Sequence, residues 1–243
     1  MPAQRCAGLD ACANSKRRLA VKVAGQMEGD LMSVIEETNR EELLSVPCVR
    51  PTQIAHIVLQ TTRFAQMRAF YITLLNAEVP FEDKDACFLR YDEEHHRMVI
   101  VNTPDYGPVN RRASGMHHFT FTYATLGELL GNYERLTKVG IEPMWSINHG
   151  FTTSMYYYDP DGNILETQFD NMTSEEADAF MRGPYFSINP IGVDFDPALL
   201  LERYRQGVLL SELVQFKSAP CDPNAPQTRP DDVPEYDAAG ALL

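Results

Sequence analysis

His118-Phe119-Thr120-Phe121-Thr122 decides the fold, because an earlier stretch, His56-Ile57-Val58-Leu59-Gln60, follows the same plan. Both are runs of β-branched and aromatic residues opened by a histidine, the composition of a strand. Each run leads into apolar residues spaced three and four apart, the mark of a helix with one buried face. These are Phe64, Met67, Phe70, Tyr71 and Leu74 in the first copy, and Leu126, Leu129, Leu130, Tyr133 and Leu136 in the second. Each copy then reaches a proline beside an acid and an aromatic, Glu78-Val79-Pro80-Phe81 and Glu142-Pro143-Met144-Trp145. From histidine to proline the copies differ in length by a single residue.

Two further strands complete each copy: Cys87–Tyr91 and Arg97–Val101 in the first, Ser154–Tyr158 and Ile164–Phe169 in the second. Asp159-Pro160-Asp161-Gly162-Asn163 joins the last pair as a tight turn, with proline fixing one dihedral and glycine supplying a positive one. The sequence therefore predicts an α+β protein of two βαβββ modules, over 51–108 and 115–172. Because each module leaves an apolar sheet face uncovered, the two are expected to pack into a curved mixed sheet around a shared cleft.

Helices flank this core. One is expected over 28–45, within an N-terminal helical segment spanning 28–50. A C-terminal helical extension is expected over 173–219. There Thr173-Ser174-Glu175-Glu176 is a capping box, and Asp196-Pro197 opens another helix that stops near Gly207. Residues 1–27 form a basic stretch, with Arg5, Lys16, Arg17, Arg18 and Lys22 against Asp10. It reads as a disordered tail, with an organelle transit peptide as the alternative. Residues 220–243, rich in Pro, Asp, Asn and Gln, read as a second disordered tail.

The chain has 243 residues, 44% of them hydrophobic, and a formal net charge of -13. Nucleic acid is a poor partner for such a chain, since phosphates need a clustered basic surface. No apolar run approaches the roughly 18 residues of a membrane span. The five cysteines show neither even pairing nor Cys-x-x-Cys spacing, which points to a reducing, cytoplasmic setting and a small-molecule partner.

All six histidines lie between His56 and His149, inside the duplicated core. Taken singly, His56, His118 and Glu166 read as ordinary strand residues. Taken with the repeat, they read as a metal site: two imidazoles and a carboxylate bind divalent iron or manganese and leave positions open for substrate and oxygen. The matching strand of the first copy, Met98–Val101, offers no carboxylate as a fourth ligand. Alternation selects His118 over His117, whose side chain must point to the opposite sheet face.

The run His149 to Tyr156-Tyr-Tyr-Asp-Pro-Asp-Gly-Asn-Ile-Leu-Glu166 resembles the vicinal oxygen chelate superfamily, and within it the type I extradiol ring-cleavage dioxygenases. The resemblance covers about residues 53–171, and Tyr156 stands ten residues before Glu166, as the family's tyrosine does before its glutamate ligand. It implies Fe(II), or Mn(II), held by His56, His118 and Glu166. It also implies His96, with His95 as rival, as acid or base near dioxygen, and His149 and Tyr156 on the substrate hydroxyls. The implied reaction opens a small aromatic diol beside its hydroxyls, and a homodimer is the implied assembly. Two departures stand out: the loop from His96 to His118 is longer than the family's, and the His149 to Tyr156 segment is about two residues shorter. This chain also carries two modules where the large enzymes carry four. Asn189–Asp196 resembles the tails of compact one-domain relatives, and its aromatic and apolar residues are expected to cover the cleft or a subunit face. A metal-dependent isomerase, epimerase or lyase of the superfamily is the alternative reading, and a non-catalytic binding or resistance protein a second.

Overall fold

A computed structural model describes residues 50–110 and 113–216. The tail expected over 1–27, the helix over 28–45 and the tail over 220–243 lie outside the described residues. Contacts divide the chain into Met1–Gln53 and Ile54–Leu243, and both repeats lie in the second unit.

The first copy runs β1 (Ile57–Thr61), α1 (Phe64–Leu75), β2 (Glu78–Glu82), β3 (Ala86–Arg90) and β4 (Met98–Asn102). The second runs β5 (His118–Tyr123), α2 (Leu126–Thr137), β6 (Trp145–Asn148), β7 (Thr152–Tyr158) and β8 (Ile164–Asp170). Both are βαβββ, as the repeat predicts. The strands bond within two mixed sheets, β1-β4-β3-β2 and β5-β8-β7-β6-β9, where β9 is Val193–Asp194. In each module the first strand lies parallel to the last, β1 on β4 and β5 on β8.

The helices end where local chemistry stops them. Asn76 takes the left-handed conformation (φ 50°) after α1, and its N–H bonds the Ile72 carbonyl, the role asparagine shares with glycine at helix ends. Thr125 and Glu128 form a reciprocal capping box at the start of α2. The two prolines of the repeat have different consequences. Pro80 is tolerated inside β2, an edge strand, beside a break in register between Glu78 and Phe81, as befits a residue with no N–H to give the ladder. In the second copy pairing begins only past Pro143, with Met144 N–H donating to the Tyr156 carbonyl at 2.8 Å. The strand that follows α2 therefore starts at Trp145.

One apolar core joins the modules. Met67, Tyr71 and Leu74 of α1 are fully buried together with Leu129, Leu130 and Leu136 of α2, and Phe119 and Phe121 of β5 belong to the same cluster. Polar links cross the same junction: Arg135 reaches the Leu74 carbonyl at 3.1 Å and Arg63 the Pro160 carbonyl at 2.6 Å. Tyr71 donates its hydroxyl to Asp159 at 2.7 Å in a buried bond.

The C-terminal extension comprises α3 (Ser174–Met181), α4 (Pro184–Ile188), β9, α5 (Pro197–Arg205) and α6 (Leu210–Leu213). Thr173 and Asp196 cap α3 and α5 as the sequence predicts. The sequence gives no strand at Val193–Asp194, where the extension pairs with β6 and becomes the fifth strand of the second sheet. No helix among the described residues is long and apolar enough to cross a membrane.

Candidate active site

The site is built on one register row of the second sheet. Thr120 of β5 pairs with Glu166 of β8, Glu166 with Tyr156 of β7, and Tyr156 with Trp145 of β6. Side chains directly opposite one another share a sheet face, so the four line up across it, and alternation adds His118 and Ser154 two residues away.

Glu166 is the centre of this row. His118 Nε2 lies 3.3 Å from its Oε2, and the Thr120 hydroxyl donates to the same oxygen at 2.7 Å. Burial alone pushes the Glu166 carboxyl up, but the hydrogen bonds from His118, Ser154 and Thr120 outweigh it and hold the group below the ordinary carboxylate range. The carboxylate is thus charged and its oxygens directed, the state a metal ligand requires.

His149 reaches the row from the β6–β7 hairpin. Its loop is only His149-Gly150-Phe151, closed by His149 N–H on the Thr152 carbonyl at 2.9 Å, with Gly150 at φ 93°. So short a return folds His149 back over β7. Its Nε2 comes 3.0 Å from the Tyr156 hydroxyl and 3.9 Å from Glu166 Oε1, while its Nδ1 is bonded to the Ile191 carbonyl. The short hairpin thus leaves His149 in reach of Tyr156. Burial holds the His149 imidazole below its ordinary pKa and lifts the Tyr156 phenol well above its own.

His56 and His96 meet on the first sheet. His56 directly precedes β1, whose Ile57 pairs with Met98, and its ring stacks on His96 at 4.7 Å between centroids. His95 lies 4.4 Å and Phe88 5.1 Å from the His96 ring. Burial, with the imidazoles of His95 and His56, lowers the pKa of His96. His117 touches His118 through their Nδ1 atoms at 2.6 Å.

Two ligands at right angles, each about 2.1 Å from one ion, stand about 3 Å apart, so the His118–Glu166 separation suits neighbouring positions on a single cation. Among the described residues, no group of three or more His, Cys, Asp or Glu side chains is gathered for one ion. The six residues singled out in the sequence thus fall into two clusters: His118, Glu166, His149 and Tyr156 on the second module, His56 with His96 on the first. A cavity of about 430 Å³ adjoins the His118 cluster, bounded by His117, His118, Met116, Val109 and the Gly162-Asn163 turn.

The sequence profile of the Glyoxalase/Bleomycin resistance protein/Dioxygenase superfamily matches residues 53–167. Biphenyl-2,3-diol 1,2-dioxygenase 2 of Rhodococcus globerulus is 50% identical over 157 residues, 64% of this chain and 83% of that protein. Biphenyl-2,3-diol 1,2-dioxygenase 3 of the same organism is 44% identical over 164 residues, 66% of this chain and 86% of that one. The chain belongs to the glyoxalase/bleomycin resistance/dioxygenase superfamily. Among solved structures, a lactoylglutathione lyase from Agrobacterium tumefaciens is similar at a TM-score of 0.42 and 18% identity, over 50% of this chain and 96% of that one.

Within this superfamily domain, three participants escape a reading by motif. Thr120 and Ser154 share the face of His118 and Tyr156, so alternation was signal enough to find them. The Ile191 carbonyl is a backbone group from beyond the repeat and carries no side-chain signal.

Proposed function

We propose that this chain is an extradiol-type dioxygenase that opens the ring of a catechol-like diol beside its hydroxyls, using dioxygen and a divalent iron ion. His118 and Glu166 would hold the ion with His56 as the third ligand, and manganese(II) accepts the same donors. The observation that carries the reading is the ionised Glu166 at 3.3 Å from His118, with the Tyr156–His149 pair beside it, in a chain half identical to a biphenyl-diol dioxygenase. When bound, the ion supplies the redox chemistry, acidifies the diol and brings diol and dioxygen to neighbouring positions.

The remaining work falls to the protein. The Tyr156 phenol, its pKa raised by burial, orients a substrate hydroxyl and takes that hydroxyl's proton as it passes its own to neutral His149. Trp145 stacks on Tyr156 at 4.9 Å and fixes the phenol plane. His96, which stacks on His56, would exchange a proton on the oxygen side of the substrate.

The test is anaerobic loading with Fe(II), then oxygen uptake over a panel of catechols that includes 2,3-dihydroxybiphenyl. Oxygen consumption with a yellow ring-fission product supports the reading. Metal-dependent turnover without oxygen, or binding without turnover, refutes it in favour of an isomerase or a binding protein. His118→Ala and Glu166→Ala should lose stoichiometric iron and His117→Ala should keep it. Tyr156→Phe should keep iron and lose about 10²-fold or more in rate, the range of general acid–base contributions.

A further inference from the structure

We propose that the C-terminal strap Asn189–Phe195 sets the tautomer of His149, with Asn189 as the positioning residue. The inference deepens the catalytic reading above and rests on it for its kinetic consequence. It stands on the hydrogen bonds around one imidazole.

His149 Nδ1 is bonded to the Ile191 carbonyl. A carbonyl can only accept, so Nδ1 carries the proton. A neutral imidazole has a single N–H, which leaves Nε2 bare and facing the Tyr156 hydroxyl at 3.0 Å. Tyr156 then has two acceptors in reach, Nε2 and the Glu166 carboxylate. With Glu166 engaged by the ion, on the reading above, Tyr156 donates to His149 and its oxygen is left to accept from a substrate hydroxyl. A proton leaving the substrate moves to the Tyr156 oxygen as the phenol proton moves to Nε2. The resulting imidazolium keeps its Nδ1–H on Ile191, and the reverse transfer restores both residues. With the opposite tautomer, Nε2 would point a proton at Tyr156 and have no room for another.

The carbonyl is held in place by the strap. Asn189 Oδ1 accepts from the N–H groups of Ile191 (3.2 Å) and Gly192 (2.9 Å), and its Nδ2 donates to the Gly192 carbonyl at 2.6 Å. Gly192 adopts φ 131°, and a Cβ there would stand 2.4 Å from the Asn148 carbonyl oxygen. Only glycine allows the strap so close to the end of β6. Beyond it, Val193 and Asp194 pair with Asn148 and Ile147, Phe195 N–H bonds the Ser146 carbonyl at 3.1 Å, and Trp145 Nε1–H donates to Asp194 at 2.9 Å. The strap is thus tied along β6, the strand that delivers His149.

The test is a long-range proton–nitrogen correlation spectrum of the histidine side chains in uniformly ¹⁵N-labelled, iron-free full-length protein at neutral pH. His149 is assigned by the signal missing in His149→Gln. The wild type should show Nδ1 protonated and Nε2 bare. Asn189→Ala should give a mixture of tautomers and, after iron loading, a kcat about 10- to 100-fold lower, up to the low end of a general base's contribution. KM for the diol and bound iron should stay within about twofold, because an interaction made only in the transition state lowers kcat alone. Asn189→Asp, which retains both acceptor contacts but loses the donor to the Gly192 carbonyl, should recover more of the Nδ1–H form and of kcat than Asn189→Ala does. A wild-type His149 protonated on Nε2 overturns the proposal, whatever the variants do, as does an unchanged His149 signal in folded Asn189→Ala. The wild-type spectrum also separates the two readings. Ring cleavage by a protein whose His149 is protonated on Nε2 refutes the positioning alone. The Nδ1–H form in a protein that cleaves no catechol supports the positioning and refutes the function.

Discussion

Tyr71→Phe removes one oxygen atom from the junction between the modules. The Tyr71 hydroxyl donates to Asp159 Oδ2 at 2.7 Å, and both residues are buried, Tyr71 at 0% and Asp159 at 4% exposure. A hydrogen bond to a charged group contributes about 1.5–3 kcal/mol. The carboxylate is not orphaned by the change, since Asn163 Nδ2 (2.7 Å), Asn163 N–H (2.8 Å) and Asp161 N–H (2.9 Å) still donate to it. The expected loss therefore sits at the low end, about 1.5–2 kcal/mol, which for a domain of this size lowers Tm by roughly 3–8 °C.

The loss should also depend on pH. Burial raises the Asp159 pKa, while the bonds from Asn163 and Tyr71 oppose the rise. An acid whose folded pKa exceeds its unfolded one contributes most stability below the unfolded pKa, and that contribution is lost as pH climbs through the folded value. Without Tyr71 the folded pKa rises further, so the variant loses more on climbing, and its deficit against wild type widens from acid to neutral pH. Urea unfolding of the iron-free proteins across that range measures this as a shift in midpoint at constant slope. A deficit below about 0.5 kcal/mol at neutral pH, or one that narrows with rising pH, would refute the reasoning.

Other perturbations test the site itself. Thr120→Val keeps the side-chain shape but removes the 2.7 Å bond to Glu166; with Glu166 as the proposed ligand, iron affinity should fall about 10- to 100-fold, the usual effect of losing a ligand's supporting partner, and chelator competition showing no change would detach Thr120 from the proposed site. Gly150→Ala meets both a φ of 93° and a Cβ position 2.3 Å from the Phe180 ring; a loss of about 1–3 kcal/mol by urea unfolding is expected, and a neutral result would mean that the hairpin is looser than drawn. Thr173→Ala deletes the capping box of α3, a helix with no buried residue; amide exchange should quicken across Ser174–Met181 while the global unfolding midpoint stays put, and a matching global loss would show that α3 is coupled to the core.

The fold was legible because both modules announce themselves locally. The three- and four-residue spacing of Met67, Tyr71 and Leu74 is the buried face of α1, and the Asp159–Asn163 turn is written in residue types that have one conformational use. The proline motif located the second copy's middle strand without fixing its start: Pro80 lies inside an edge strand, whereas Pro143 lies ahead of an inner one that begins at Trp145. The site was half legible. His118, Glu166 and Tyr156 follow from a strand register that the sequence implies, whereas His149 reached its place through a hairpin too short to match the expected spacing. Nothing in residue identity marks Val193–Asp194 as a strand or Ile191 as a hydrogen-bond partner, because both act through backbone atoms whose positions depend on packing far along the chain.

The site and the junction are mechanically one object. Glu166 and Tyr156 face each other only because β7 and β8 pair in a single register, and a slip of one residue would send Tyr156 to the opposite face of the sheet. That register is fixed at the turn, where Asp159 N–H bonds the Asn163 carbonyl at 3.0 Å and Gly162 N–H returns to the Asp159 carbonyl at 2.9 Å. Asp159 holds the turn from inside with its carboxylate, and the carboxylate is held in place by Tyr71, a residue of the other module. The first module therefore serves the Glu166 row beyond any residue it lends to a metal. It clamps the turn that aligns the carboxylate with the phenol, which is why a buried contact so far along the chain from His118 belongs to the design of the site.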